Sequence, residues 1–391
     1  MKILFIKEQR SPSGIEGVAI YLLNICRELN KLNISYLVLY NAKDKFYNMM
    51  KKNEINVLFA PLPPSSAKNL FNRRDKVKAI KKLIFSIIQK EKITHINVHF
   101  PHLLGYIKKE WGIPIIAHWH GAFVENKPLK YFYWQDIFSI RKTINNFYSK
   151  LYVFNFSKAD LVICPSIAAK NTAIIKFKIP NTKIKINPYG IRKINCTKYK
   201  NLRKKLRFRE NDKVILSAGR ETKAKGIEDF CQIAIVLSKS EQSYKFIFLG
   251  GYRDENYHNK LVKKYGDVVQ FMGMREDIYD FYKTADLFLF LSHRESAGLV
   301  LAEAMFFGLP LVAWDIIGVN EMFKNNINGY LVPFGDTDNV AKHIEKIFND
   351  KEIYKKFSKS SFVEASKHTI DNSAKELINL FKSVNIKKEA F

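Results

Sequence analysis

The chain has 391 residues, 47% hydrophobic and 26% charged, a globular composition that excludes a disordered or fibrous protein and a length that predicts two domains. Its formal net charge of +28 fits nucleic acid, an anionic membrane surface or anionic substrates as partner, while the joint abundance of Lys, Asn and Ile is equally the mark of an AT-rich genome. The scattered Cys26, Cys164, Cys196 and Cys231 have no metal-type spacing, and no apolar run reaches membrane-spanning length, so a reducing, cytoplasmic location is expected.

Met1 to Ile6 is too short for a signal sequence and reads as a first strand. A polar loop at 8–17 follows, with Gly14 in it, and then a helical pattern through Val18, Ile20, Leu22, Leu23, Ile25 and Leu29. Strand, glycine loop and helix suit a phosphate. The loop lacks G-x-G-x-x-G, so no dinucleotide cofactor is expected, and a plain βα turn is the competing reading. Strands are expected at 34–40 and 55–60. Residues 68–92 form a basic amphipathic helix with Leu70, Val77, Ile80, Leu83, Ile84 and Ile87 on its apolar side. It can lie on an anionic membrane or pack as a crossover helix with a solvated lysine face.

Histidines gather at His95, His99, His102, His118 and His120, read as the ends of strands. No carboxylate or cysteine pair stands near them at ligand spacing, so a neutral imidazole contacting a ligand is expected rather than a metal site. Residues 128–156 mix aromatic and basic side chains, as in an interfacial segment, an acceptor-sugar platform or a core helix. A strand at 159–164, a helix capped by Ser166 and a strand at 183–186 complete a first α/β domain. Composition turns to Lys, Arg and Asn between 191 and 211, which sets the boundary.

The second half repeats the alternation. A strand at 214–218 leads into Gly219, Arg220, Lys225 and Gly226, and a strand at 246–249 ends at Gly250-Gly251. The apolar run 285–291 reads as a buried strand, followed by Glu295, Ala297 and a helix opened by Gly298 and Leu299 that carries Glu303 and stops at Gly308 and Pro310. Two glutamates in a Glu-x7-Glu arrangement at a strand's carboxyl end are placed to read hydroxyls, although such pairs also occur on solvated helices. Arg220 and Lys225 supply two cations able to hold a diphosphate as a bond to it breaks, without a divalent metal. Asp336-Thr337-Asp338 has the letters of a metal motif but reads as a helix cap.

These stretches occur in a recognisable order: Gly14 with Glu16, His120-Gly121, Asn187-Pro188-Tyr189-Gly190, Gly219-Arg220 with Lys225-Gly226, Gly250-Gly251, Ala285-Asp286, Glu295 with Gly298 and Glu303, Gly308-Leu309-Pro310, Gly318 with Glu321, and Gly329-Tyr330. In this the chain resembles the retaining GT-B glycosyltransferases of family 4 over nearly its whole length. The resemblance implies two Rossmann-like, doubly wound domains facing a cleft. Residues 1–191 would bind the acceptor, 192–370 would bind the nucleotide sugar, and a helix from 371 would return to the first domain.

By the same resemblance, Arg220 and Lys225 would hold the diphosphate and Glu303 the ribose. Glu295 with the backbone of Ala297, Gly298 and Leu299 would read the sugar, His120 would face it, and Gly14, Gly219 and Gly250 would let backbone approach the donor. Transfer to a saccharide or lipid-linked acceptor for cell-surface polysaccharide would retain configuration and use no metal or cofactor besides the nucleotide-sugar donor. The chain departs from the pattern at Ser13 before Gly14, at Ala297 where Phe is usual, and at Ile317-Gly318 where two glycines are usual; these bear on donor choice. The alternatives are a GT-B nucleotide-sugar epimerase and a basic nucleic-acid binder. The basic residues are spread along the chain rather than gathered in a reading motif, so nucleic acid is not the expected partner.

Overall fold

Apolar runs alternating with amphipathic stretches give two parallel sheets. The computed structural model describes residues 1–9, 16–62, 73–121, 154–252 and 254–384. Of these, residues up to 121, 154–192 and 370–384 belong to an N-terminal unit, and 193–369 to a C-terminal unit. Gly14, nearly all of the aromatic and basic stretch at 128–156, and the start of the basic segment at 68–92 lie outside the described residues.

The N-terminal unit runs β1 (Lys2–Lys7), α1 (Gly17–Lys31), β2 (Ser35–Tyr40), α2 (Lys45–Lys52), β3 (Val57–Phe59), α3 (Arg73–Lys90), β4 (His95–Val98), β5 (Ile115–His118), β6 (Leu161–Cys164), α4 (Ile167–Phe177) and β7 (Ile184–Ile186). Its strands are parallel, in the order β3-β2-β1-β4-β5-β6-β7. β1 is central, with Phe5 opposite Val38 on one side and Asn97 on the other. Ile3, Leu4, Phe5 and Ile6 are buried, as parallel strands covered on both faces require. Helix starts follow local chemistry: the Asp44 side chain accepts from the Tyr47 N–H at 2.9 Å, and Ser166 from the Ala169 N–H at 3.0 Å.

The C-terminal unit runs β8 (Lys213–Ala218), α5 (Ile227–Leu237), β9 (Tyr244–Leu249), α6 (Glu255–Tyr265), β10 (Val269–Phe271), α7 (Ile278–Thr284), β11 (Leu287–Phe290), α8 (Leu299–Phe306), β12 (Leu311–Trp314), β13 (Gly329–Val332), α9 (Thr337–Asn349) and α10 (Lys351–Ala365). The order β10-β9-β8-β11-β12-β13 is doubly wound. The winding reverses between β8 and β11, the place where such sheets bind ligands at their carboxyl ends. The side chain of Asp336 caps α9, accepting from the Asn339 N–H at 3.2 Å.

The chain ends its described path in α11 (Ile370–Lys382), which packs in the N-terminal unit. The Ile370 N–H donates to the Ile191 carbonyl at 2.8 Å, Asn187 Nδ2 donates to the Ser373 carbonyl at 3.1 Å, and Phe381 meets Phe5 edge-on.

Three details correct the sequence reading. His95 opens β4 instead of ending a strand, because pairing with β1 starts at Ile3 opposite His95. Leu83 faces outward on α3, whose buried stripe is Ile80, Ile84, Ile87 and Ile88. Ala285 and Asp286 precede β11: Asp286 is held before the strand by Arg203 at 2.5 Å and by the Val214 N–H at 2.8 Å.

Leu377 of α11 is fully buried in the N-terminal unit. Leu377→Ala should therefore cost about 2–5 kcal/mol in denaturant unfolding of that unit. A loss below about 1 kcal/mol would mean that α11 is not part of this core.

Candidate functional site

Two loops lock together where the C-terminal sheet reverses. The loop after β8 turns through a short helical segment at Lys223–Lys225 and ends at Gly226, whose φ is 68°. A Cβ on Gly226 would stand 1.7 Å from the Leu291 carbonyl oxygen, just past β11. The same loops share backbone bonds: the His293 N–H donates to the Ala224 carbonyl at 3.0 Å, and buried His293 pairs with Asp229 at 2.7 Å. On the other side, a Cβ on Gly250 would stand 1.6 Å from the Gly219 carbonyl oxygen. Glycine is thus required at both positions by backbone contact, and three strand ends are drawn into one wall.

The charges sit on this wall. Arg220 is exposed and has no ion-pair partner among the described residues. The aliphatic stem of Lys225 packs at 3.8 Å from where a Gly219 Cβ would be, and its Nζ meets Glu295 Oε2 at 2.7 Å. Burial pushes the Glu295 carboxyl up. The charge of Lys225 and its hydrogen bond, together with the Ser296 and Gly298 N–H groups, outweigh it and hold the group below the ordinary carboxylate value. Glu295 Oε1 accepts from the Ser296 N–H at 3.0 Å and lies 3.5 Å from the Ala297 N–H. Gly298, with φ 53°, turns the chain into α8, which begins at half-buried Leu299.

Glu303 lies in α8 and has a different environment. Burial pushes its carboxyl up to about 7, while hydrogen bonds from Tyr282 and Tyr279 pull in the opposite direction. The Tyr282 hydroxyl is 3.2 Å from Glu303 Oε2. One glutamate of the pair is therefore firmly ionised, and the other titrates near neutrality.

In the N-terminal unit the carboxyl edge of the sheet is lined by imidazoles. The rings of His99, His118 and His120 stack with centroids 4.8–5.4 Å apart. His99 Nδ1 is 3.2 Å from His120 Nε2, His118 Nδ1 is 3.0 Å from Asn97 Oδ1, and His120 Nδ1 bonds the Tyr189 hydroxyl. Burial holds His118 down to about 3 and His99 well below the ordinary imidazole value, so both are neutral. Nearby, fully buried Lys7 donates to the Glu8 carbonyl at 2.9 Å and pairs with Glu16 at 3.3 Å among the rings of Tyr40, Phe46 and Phe100. Among the described residues no cluster of three or more His, Cys, Asp or Glu is arranged to hold a metal ion.

Arg220, Lys225, Glu295, Ala297, Gly298, Leu299, Glu303, Gly219 and Gly250 thus fall on the carboxyl side of one sheet in the C-terminal unit. His120 lies in the N-terminal unit, and Gly14 falls outside the described residues. The sequence reading missed the direct Lys225–Glu295 pair, the buried His293–Asp229 pair and the tyrosines on Glu303. These partners are far apart in the chain and carry no local spacing signal.

Residues 198–362 match the family described as Glycosyl transferases group 1, and residues 15–193 match Glycosyltransferase Family 4. The N-acetyl-alpha-D-glucosaminyl L-malate synthase of Bacillus anthracis is 26% identical over 282 residues, 69% of either chain. The alpha-monoglucosyldiacylglycerol synthase of Acholeplasma laidlawii is 24% identical over 401 residues, covering 97% of this chain and 96% of its own. Matches to three further curated relatives span 53%, 59% and 60% of those proteins' lengths. The crystal structure of HepE from Anabaena with UDP and glucose has the same fold, with a TM-score of 0.77 at 20% identity over 98% of this chain and 100% of that one.

The loop lock yields a paired prediction. Gly226 and Gly273 have similar backbone angles, φ 68° and 66°, but a Cβ at Gly273 would meet nothing within 4 Å. Gly273→Ala should lose only the left-handed backbone term, about 1–2 kcal/mol. Gly226→Ala should lose distinctly more in the same unfolding assay, and equal losses would show that the contact with Leu291 does not matter.

Proposed function

We propose that this chain, which belongs to the GT-B glycosyltransferases of the group 1 and family 4 type, moves a sugar from a nucleotide-sugar donor to a saccharide or lipid-linked acceptor, retaining the anomeric configuration and using no metal. The observation that carries the donor half is the arrangement of exposed Arg220, the Lys225–Glu295 pair and Glu303 on the carboxyl side of a doubly wound sheet. As the bond from the anomeric carbon to the diphosphate oxygen breaks, negative charge grows on the leaving group. Arg220 and Lys225 are the cations to stabilise it. An ammonium has three protons, so Lys225 can keep Glu295 and still donate to a phosphate.

Glu295, kept ionised by Lys225, accepts from sugar hydroxyls in this reading, with the Ala297 to Leu299 backbone beside it and Gly219 and Gly250 leaving room at the wall. Glu303 takes the ribose. The small side chain of Ala297 fits a donor with bulk beside the sugar ring. The UDP and glucose in HepE support a nucleotide-sugar donor, and the lipid in the name of the Acholeplasma relative supports a lipid acceptor.

The acceptor half favours work at the inner face of a membrane. No helix among the described residues is long and apolar enough to cross one. α3, however, turns exposed Lys78, Lys82, Leu83 and Phe85 outward, and the chain carries +28. Lysines beside exposed apolar side chains suit a surface of anionic lipid.

Arg220→Ala should cut sugar transfer at least about tenfold, since a charged hydrogen bond to phosphate contributes roughly 1.5–3 kcal/mol. EDTA should leave the unmodified protein's rate unchanged, and the product should keep the donor's anomeric configuration by NMR. Full activity in Arg220→Ala would remove the diphosphate assignment, and loss in EDTA restored by metal would remove the metal-free one. Binding to phosphatidylglycerol vesicles should fall with salt and in the Lys78→Glu/Lys82→Glu double variant. Binding indifferent to both would refute docking through α3.

A further inference from the structure

We infer that Tyr282 is a positioning residue for Glu303, holding one carboxylate oxygen in place where the group accepts from a nucleotide's ribose. This rests on the reading that Glu303 meets the ribose and extends it to a residue on another helix that no ligand need touch.

Tyr282 on α7 has no exposed surface. Its ring is fixed on several sides: it stacks on Phe307 with centroids 5.6 Å apart, tilts against Phe288 at 5.7 Å, and lies beside Tyr279 at 6.3 Å. Tyr279 is itself packed by Tyr199 at 5.1 Å and by Phe307 at 5.9 Å. A ring held this way cannot swing, so the place of its hydroxyl is set by the core. That hydroxyl stands 3.2 Å from Glu303 Oε2 and 3.3 Å from the Val300 carbonyl oxygen.

The two acceptors matter because a phenol has one proton to give. When Glu303 is ionised, Tyr282 donates to the carboxylate. When Glu303 is protonated, the acid can donate to the phenol oxygen while Tyr282 turns its proton to the Val300 carbonyl. Tyr282 is satisfied in either state, so the buried hydroxyl never blocks titration of its neighbour, yet a charged acceptor makes the stronger bond. Removing the hydroxyl therefore costs the ionised form more than the neutral one. The groups acting on the carboxyl are the two tyrosine hydroxyls of α7, and burial works against them.

The chemical consequence concerns the two ribose hydroxyls. An ionised carboxylate offers two strong acceptor oxygens, whereas the protonated acid offers one. Nucleotide affinity should thus follow ionisation of Glu303, being weaker on the acid side of about 7 and full above it. Loss of the Tyr282 hydroxyl moves that dependence to higher pH. A purely structural Tyr282 would weaken binding alike at every pH.

The test is calorimetric titration of the full chain with UDP at pH values from about 7 to 9, with GDP and ADP run in parallel, for the unmodified protein, Tyr282→Phe, Tyr279→Phe and Glu303→Gln. Phe keeps the rings packed, so melting temperatures should stay within a few degrees. Tyr282→Phe should raise Kd about fivefold near pH 7, as a shift of one pKa unit on a half-ionised group would. By about pH 9 its Kd should converge on that of the unmodified protein, with Tyr279→Phe showing a smaller shift of the same sign. Glu303→Gln should bind more weakly with no pH dependence. If Glu303→Gln behaves as the unmodified protein, the ribose reading fails. If Glu303→Gln is flat but Tyr282→Phe is unchanged, or is weakened equally at both ends of the range, the positioning role alone fails. Absence of binding by all three nucleotides to the unmodified protein overturns both.

Discussion

Everything at the candidate site depends on how close two backbones come. Gly226 rests against the Leu291 carbonyl, and Gly250 against that of Gly219, at distances no side chain permits. These contacts pull the loops after β8, β9 and β11 into one wall, and the charged side chains take their places from it. Lys225 reaches Glu295 because the residue after it is Gly226 and because its stem lies along Gly219. The buried His293–Asp229 pair fastens the loop after β11 to the first turn of α5. The electrostatics of the site are thus a consequence of backbone packing at the reversal of a doubly wound sheet.

The two units treat charge differently. At the edge of the N-terminal sheet burial keeps His99 and His118 neutral, while His99 bonds His120, His120 bonds Tyr189 and His118 bonds Asn97. On the C-terminal wall the charges are kept. Lys225 outweighs burial at Glu295, while two tyrosines only partly offset it at Glu303. Two glutamates eight positions apart in the chain therefore have opposite tendencies, and the difference comes from what α7 and the β8 loop bring to each. This divides the labour expected of them: a fixed anion near the sugar, and a titrating one near the ribose.

Much of this was legible in the sequence. The alternation of apolar runs with helical patterns placed the strands it named within two residues, because parallel strands buried on both faces leave short uninterrupted runs such as Leu287 to Phe290. The glycines before and after Arg220, Lys225 and Glu295 marked the loops that carry charge. Outward-facing Leu83 was less legible, since a helix with lysines on most turns does not fix its own rotation. His95 was misassigned because an imidazole at a strand's start and one at its end look alike in a one-dimensional pattern. Tyr282 carried no signal at all: it sits within a short helix, 21 residues from the carboxylate it meets, and only the packed aromatic cluster reveals it.

The wall built by β8, β9 and β11 is proposed to receive a nucleotide-activated sugar. The most direct measurement is the melting temperature of the full chain in EDTA with UDP-, GDP-, ADP- and dTDP-linked sugars at millimolar concentration. A specific donor at a hundred times its Kd adds about 2.7 kcal/mol, a shift of several degrees, and one nucleotide class should produce it while the others do not. No shift with any of them would contradict donor binding at this wall.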